Sequence, residues 1–131
     1  MKKIILLLMV LCSVTICYAQ RYEGIAKTLS VRILHNYRWT EWTKPEPTRV
    51  RLLVDVGKSR VIIYSKSPQI YTILSADSHY YDSTSGVRSE CWEYQVIDQD
   101  GDIGTLVVRC GNKWMQIYIR FADIQWVYYL E

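Results

Sequence analysis

The chain has only two histidines and contains no Cys-x-x-Cys. The first shortage leaves a poor donor set for a transition-metal centre, and the second excludes the usual thiol–disulfide redox motif. No apolar run reaches the roughly 20 residues of a membrane-spanning helix, and no segment carries a clear helical period. The net charge of +3 is too small to mark a nucleic-acid-binding chain. What remains is 131 residues, half of them hydrophobic and 22% charged, the size of one domain. With 5 Trp and 11 Tyr, the chain has enough apolar surface to offset its conformational entropy, which excludes extended disorder.

The first segment reads as an address. Lys2 and Lys3 precede an apolar run over 4–14, and the segment ends in Cys17-Tyr18-Ala19, with small residues where a signal peptidase reads. This predicts a signal helix over 1–19 and one mature domain over 20–131, exported to the periplasm or the exterior. Leu11 and Ile16 precede the two leader cysteines; both are too large for a lipoprotein signal, so no membrane anchor is expected after cleavage. The mature chain then carries 14 basic and 13 acidic residues. Basic residues dominate 20–74 and acidic ones 75–102, a distribution that cross-strand pairing within one molecule can satisfy.

Cys91 and Cys110 remain after cleavage, in a compartment where disulfides persist. A two-residue hairpin loop at Asp100-Gly101 sets Gln99 opposite Asp102 and, continuing the register, Cys91 opposite Cys110. A three-residue loop with a bulge shifts that register by one. The expectation is a Cys91–Cys110 disulfide.

Alternating, β-branched and aromatic residues recur over 30–39, 49–56, 60–65, 69–75, 90–98, 103–110, 113–121 and 124–130, which predicts strands. Gly57-Lys58, Ser67-Pro68, Asp100-Gly101 and Gly111-Asn112 supply turns between them. A two-residue loop at Gly57-Lys58 sets Val54 against Val61, Leu52 against Ile63, Asp55 against Arg60 and Arg51 against Tyr64. The same rule at Gly111-Asn112 sets Val108 against Met115 and Leu106 against Ile117. The face continuing through Ile119 and Phe121 is expected to be core. The opposite face is expected to carry Trp92, Tyr94, Arg109, Trp114, Gln116, Tyr118 and Arg120, as solvent or ligand surface. The fold class is all-β: an antiparallel meander of about eight strands forming an up-and-down barrel or a two-sheet sandwich.

The segments Trp39-Thr40-Glu41-Trp42, 60–65, Gln116-Ile117-Tyr118-Ile119 and Trp126-Val127-Tyr128 carry a resemblance. The chain resembles small, secreted, uncharacterised proteins of gut Bacteroidetes, whose leaders also tend to end in Ala-Gln. The resemblance implies a secreted β protein and supplies no activity. In element order the chain is also similar to lipocalin-like barrels, without the Gly-x-Trp of their first strand.

Several residues are candidates for chemistry. Asp98, Asp100 and Asp102 surround Gly101 and form a candidate oxygen site for calcium, although Asp with Gly is also ordinary turn chemistry; no metal or other cofactor is expected. Ser78, His79 and Asp82 are sequence neighbours without a nucleophile motif. Glu90 and Glu93 are expected on opposite faces of a strand, where they cannot act on one bond. Trp39 and Trp42 flank the proline-stiffened loop over 43–47, either as an exposed binding edge or as a cap on one barrel end. Tyr80 and Tyr81 lie in a Ser-, Asp- and Gly-rich segment over 75–89, a composition suited to recognition loops. Candidate contact residues are therefore Trp39, Trp42, Tyr80, Tyr81, Trp92, Tyr94, Arg109, Trp114 and Tyr118. The expected function is a non-catalytic binding module for a small molecule or a protein. An inhibitor or immunity protein against an envelope-acting enzyme or toxin is the alternative, and a small enzyme a third.

Overall fold

The computed structural model describes residues 21–83 and 86–131, so the leader expected over 1–19 lies outside the described residues. Nine strands follow in order: β1 (Arg21–His35), β2 (Arg38–Trp39), β3 (Glu46–Asp55), β4 (Arg60–Tyr64), β5 (Gln69–Asp82), β6 (Ser89–Ile97), β7 (Ile103–Cys110), β8 (Met115–Arg120) and β9 (Ile124–Leu130). All pair antiparallel with their neighbours in the order β2-β1-β3-β4-β5-β6-β7-β8-β9, and β9 returns to β1. Eight strands thus form a closed barrel, with β2 as an extra strand. Closure decides between the two expected architectures because it removes the free sheet edges a sandwich would leave.

The long first strand makes closure possible. Arg21–Ala26 pair with β3 from Asp55 to Val50, while Ala26–Ile33 pair with β9 from Leu130 to Ile124. A bulge between Ala26 and Thr28 bends the strand, as bulges do, so that it serves both neighbours. Asn36 and Tyr37 follow at φ 50° and 63°, the left-handed pair of a two-residue hairpin, and fold β2 back onto β1. Beyond β2, Thr40 and Thr43 continue the ladder. Their amides donate to the Ile33 and Val31 carbonyls at 2.9 Å, and their hydroxyls accept from the Ile33 and Val31 amides at 3.0 and 2.9 Å.

Period-2 alternation fills the interior. Leu52, Val54, Val61, Ile63, Val96, Leu106, Val108, Ile117 and Ile119 are all at most 1% exposed and form one cluster. Burying each such side chain stabilises the fold by roughly 1.5–3 kcal/mol. Ala26, Tyr71, Ile73, Tyr94, Tyr128 and Leu130 complete the cluster, and Phe121 and Trp126 pack against it.

The three hairpins met their expected registers differently. Across Gly57-Lys58 all four expected pairs form, and the Arg51 guanidinium lies 5.1 Å from the centre of the Tyr64 ring. Across Gly111-Asn112 the pairs are Leu106 with Ile119, Val108 with Ile117 and Cys110 with Met115. That is a slide of two residues, which leaves every side chain on its expected face. Across Asp100-Gly101 the slide is one residue: Ile97 pairs with Ile103, Glu90 with Cys110 and Cys91 with Arg109. Gly101 at φ 90° makes this a three-residue loop with a left-handed glycine, and Asp98 accepts the Gly101 amide at 3.3 Å.

An odd slip turns one strand over relative to its neighbour, which overturns two expectations. Cys91 and Cys110 are free thiols rather than a disulfide, because Cys110 joins the interior packing while Cys91 is on the outer side with Arg109. Trp92 and Tyr94 face the core rather than the outer surface. A third correction concerns the segment over 75–89, expected as a loop. β5 runs on to Asp82 and pairs with β6 through bulges at Ile73/Ser75 and Ala76/Ser78.

Candidate functional site

The sequence-derived candidates disperse over three regions. On the outer wall, the Arg32 guanidinium lies between Trp39 and Trp42, 5.2 and 4.8 Å from their ring centres, and its Nε donates to Gln125 Oε1 at 2.8 Å. Trp42 meets the Tyr118 ring edge-on at 6.1 Å, and Arg120 covers Tyr118 at 5.6 Å. Trp39, Trp42 and Tyr118 thus form a cation–aromatic ladder that braces the β2 arm against the barrel. They lie along the wall, with Trp39 exposed and Trp42 half-buried.

Tyr80, Tyr81, Trp92 and Arg109 belong to the β5–β6 hairpin and its neighbour. The Tyr80 hydroxyl donates to Glu93 at 3.0 Å; burial, reinforced by that bond to the carboxylate, pushes its pKa up to about 12. Tyr81 is exposed, with Arg88 4.6 Å above its ring. The His79 ring stacks on Trp92 at 5.0 Å and 3° and bonds Glu90 at 2.8 Å. Ser78 donates instead to Glu93 at 3.1 Å, so the Ser78, His79 and Asp82 side chains do not converge as a nucleophile with its base. Arg109 donates to Ser89 at 2.8 Å and lies 3.7 Å from Asp82, which makes it a strut for the hairpin base. A cavity of about 410 Å³ lies between His79, Trp92, Tyr94 and Val56. Tyr94 is only 2% exposed. Trp114 stacks on Tyr129 at 6.4 Å above Gly111, where any Cβ would meet its ring. Burial raises the Cys110 thiol pKa, which disfavours a reactive thiolate.

The third region is the barrel end formed by the β6–β7 and β8–β9 loops, and its main elements were not singled out in the sequence. Tyr71 of β5, Phe121 after β8 and Trp126 of β9 form a row of rings with centres 6.1 and 5.8 Å apart. Gly104 permits this row: a Cβ there would come within 2.9 Å of the Phe121 ring and 2.6 Å of the Arg120 carbonyl. Together with Asp98, Asp102 and Asp123, the rings line a cavity of about 490 Å³, within the size range of small-molecule sites. A second groove of about 350 Å³ adjoins it at Ile124 and Trp126, lined also by Leu29, Val31 and Tyr128. The Trp126 indole Nε1 is buried and has no hydrogen-bond partner among the described residues. Burial raises the Tyr71 pKa, with Tyr128 and Asp98 adding to the shift, and the Tyr71 hydroxyl donates to Gln69 at 2.7 Å.

Asp98 uses its Oδ1 to accept the Asp100 and Asp102 amides at 2.9 and 2.8 Å. The Asp98 carboxylate therefore serves the turn, to which Asp100 and Asp102 contribute only backbone groups, and among the described residues no set of three His, Cys, Asp or Glu side chains is arranged to hold a metal ion. The signals in the sequence for this end were the aspartates around Gly101 and the apolar pattern ending in Phe121-Ala122-Asp123. Nothing in them announced that closure would bring Tyr71 alongside. In comparisons with known proteins, no family model matches the chain, and neither a curated protein nor a solved structure is similar to it.

Proposed function

We propose that the chain is an exported, non-catalytic binding module that takes a small ligand at the aromatic barrel end. The observation that carries this reading is the cavity of about 490 Å³ with Tyr71, Phe121 and Trp126 on one wall and Asp98, Asp102 and Asp123 beside them. Rigid rings and a few polar groups in a concave site are what small-ligand recognition requires. The nucleophile candidates at the other end are engaged in separate contacts, which supports a binding role over catalysis. The alternative, an inhibitor that plugs an enzyme or toxin with an acidic loop, would use the β5–β6 hairpin. There Asp82, Glu90 and Glu93 are held by Arg109, His79 and Tyr80, so the hairpin offers less unpaired charge. The test is native mass spectrometry of the protein isolated from its own export compartment. A small-molecule adduct that is lost on denaturation, and is absent from a Phe121→Arg variant that still folds, is the expected result. An adduct retained by that variant would move the site elsewhere, and a bare chain in both cases would remove the proposal.

A further inference from the structure

We infer that the ligand of this barrel end is a small amphiphilic ammonium compound, its cation between the aspartates and the ring row, its apolar body in the adjoining groove. The inference rests on the reading of this end as the binding site. The sign of the charge comes from the wall itself. Among the described residues, three carboxylates line the cavity and no lysine or arginine does, so an anion meets repulsion and a neutral ligand leaves the carboxylates without a counter-charge.

Two contrasts within the molecule sharpen this. Several acids elsewhere have basic partners: Glu23 is bound by Arg51 and Arg21, Asp55 by Arg21, Glu90 by His79 and Glu131 by Lys27, whereas the exposed Glu41, Glu46 and Asp100 have none among the described residues. Asp102 and Asp123 are exposed, and among the described residues no hydrogen bond or ion pair engages either carboxylate. Arginines cover the outward-facing rings of Trp39, Trp42, Tyr64, Tyr81, Trp114 and Tyr118. Among the described residues, no arginine or lysine lies over Tyr71, Phe121 or Trp126, nor over the inward-facing Tyr22, Trp92, Tyr94 and Tyr128. The barrel end thus brings together in one cavity two things that attract an organic cation, negative charge and electron-rich rings.

The adjoining groove gives the ligand its second half. Leu29, Val31, Ile124 and Tyr128, with Gln69 as the one polar side chain beside them among the described residues, form a mainly apolar channel that meets the acidic cavity at Trp126. A compact ammonium ion would leave this channel empty, whereas an alkyl chain on the nitrogen fills it and removes apolar surface from water.

The experiment records indole N–H signals of the isotope-labelled protein purified after export, with the Trp126 signal assigned through Trp126→Phe. The probes are hexylamine, hexyltrimethylammonium, 1-hexanol, hexanoate and methyl glucoside. The expected result is saturable movement of the Trp126 signal by both cations, with 1-hexanol at least about tenfold weaker and hexanoate weaker still. Asp102→Asn combined with Asp123→Asn, both on the surface, should weaken the cations by a similar factor and leave 1-hexanol unchanged. If 1-hexanol or the glucoside moves the signal as readily as the cations, the ammonium assignment is overturned while the site stands. If no probe moves it and native mass spectrometry finds no adduct, both readings fall together.

Discussion

At Cys91 and Cys110 a single step of register decides the chemistry of two residues. One thiol sits on the outer side of the sheet and the other joins the interior packing, although their spacing around Asp100-Gly101 favours a bridge. A protein with two free thiols should melt at the same temperature with and without reductant, and thiol titration of the unfolded, unreduced chain should find both. A melting temperature lowered by reductant would restore the disulfide. The same step explains why Trp92 and Tyr94 were misread as surface residues, whereas Arg109, Tyr118 and Arg120 kept their outer face. Trp39 and Trp42 were recognisable as a pair. Their partner Arg32 was not, since only folding brings it between them.

At the scale of the element, turn geometry outweighs the pairing that the strands alone would accept. Gly57-Lys58 and Gly111-Asn112 sit in loops whose even offsets preserve the inward and outward sets. Asp98 and Gly101 instead build a three-residue loop, with the aspartate accepting two amides and the glycine at φ 90°. Gly101→Ala should cost about 1–2 kcal/mol, the penalty of the left-handed region for a residue with a Cβ, measured as a lower urea midpoint at unchanged slope. An unchanged midpoint would mean that the loop rearranges without cost. Gly104→Ala is a different test, since its Cβ would collide with backbone as well as with Phe121. A loss of roughly 1–3 kcal/mol is expected from such overpacking, together with a displaced Phe121 ring and weaker binding at the barrel end. Retained stability and retained binding would show that Phe121 is not held by this contact. Strand positions after residue 49 were largely legible from alternation. The first half of β1 and the extension of β5 were not, because Glu23-Gly24 and the Ser- and Asp-rich stretch from Ser75 have weak strand signals that pairing partners override.

For the whole molecule, closure puts tyrosines where water does not reach, and this makes an alkaline limit to stability. Burial raises the pKa of Tyr71, Tyr94 and Tyr128, each at most 4% exposed, and of the half-buried Tyr22. A group whose folded pKa lies above its unfolded value stabilises fully below the unfolded pKa. That stability is lost as pH rises toward the folded one. Unfolding free energy should therefore fall from about pH 10 upward, with tyrosinate absorbance from these residues appearing together with loss of the β circular dichroism. Tyrosinate appearing well before unfolding would contradict their burial. The sequence by itself determined an all-β meander, its turns and most of its inward and outward residues, because alternation and turn chemistry are local and repeat along the chain. Only the tertiary structure decided barrel over sandwich, the one-residue slip at Gly101 and the joining of Tyr71 with Phe121 and Trp126. Each depends on contacts between residues far apart in sequence, above all the pairing of β1 with β9, which no local pattern encodes.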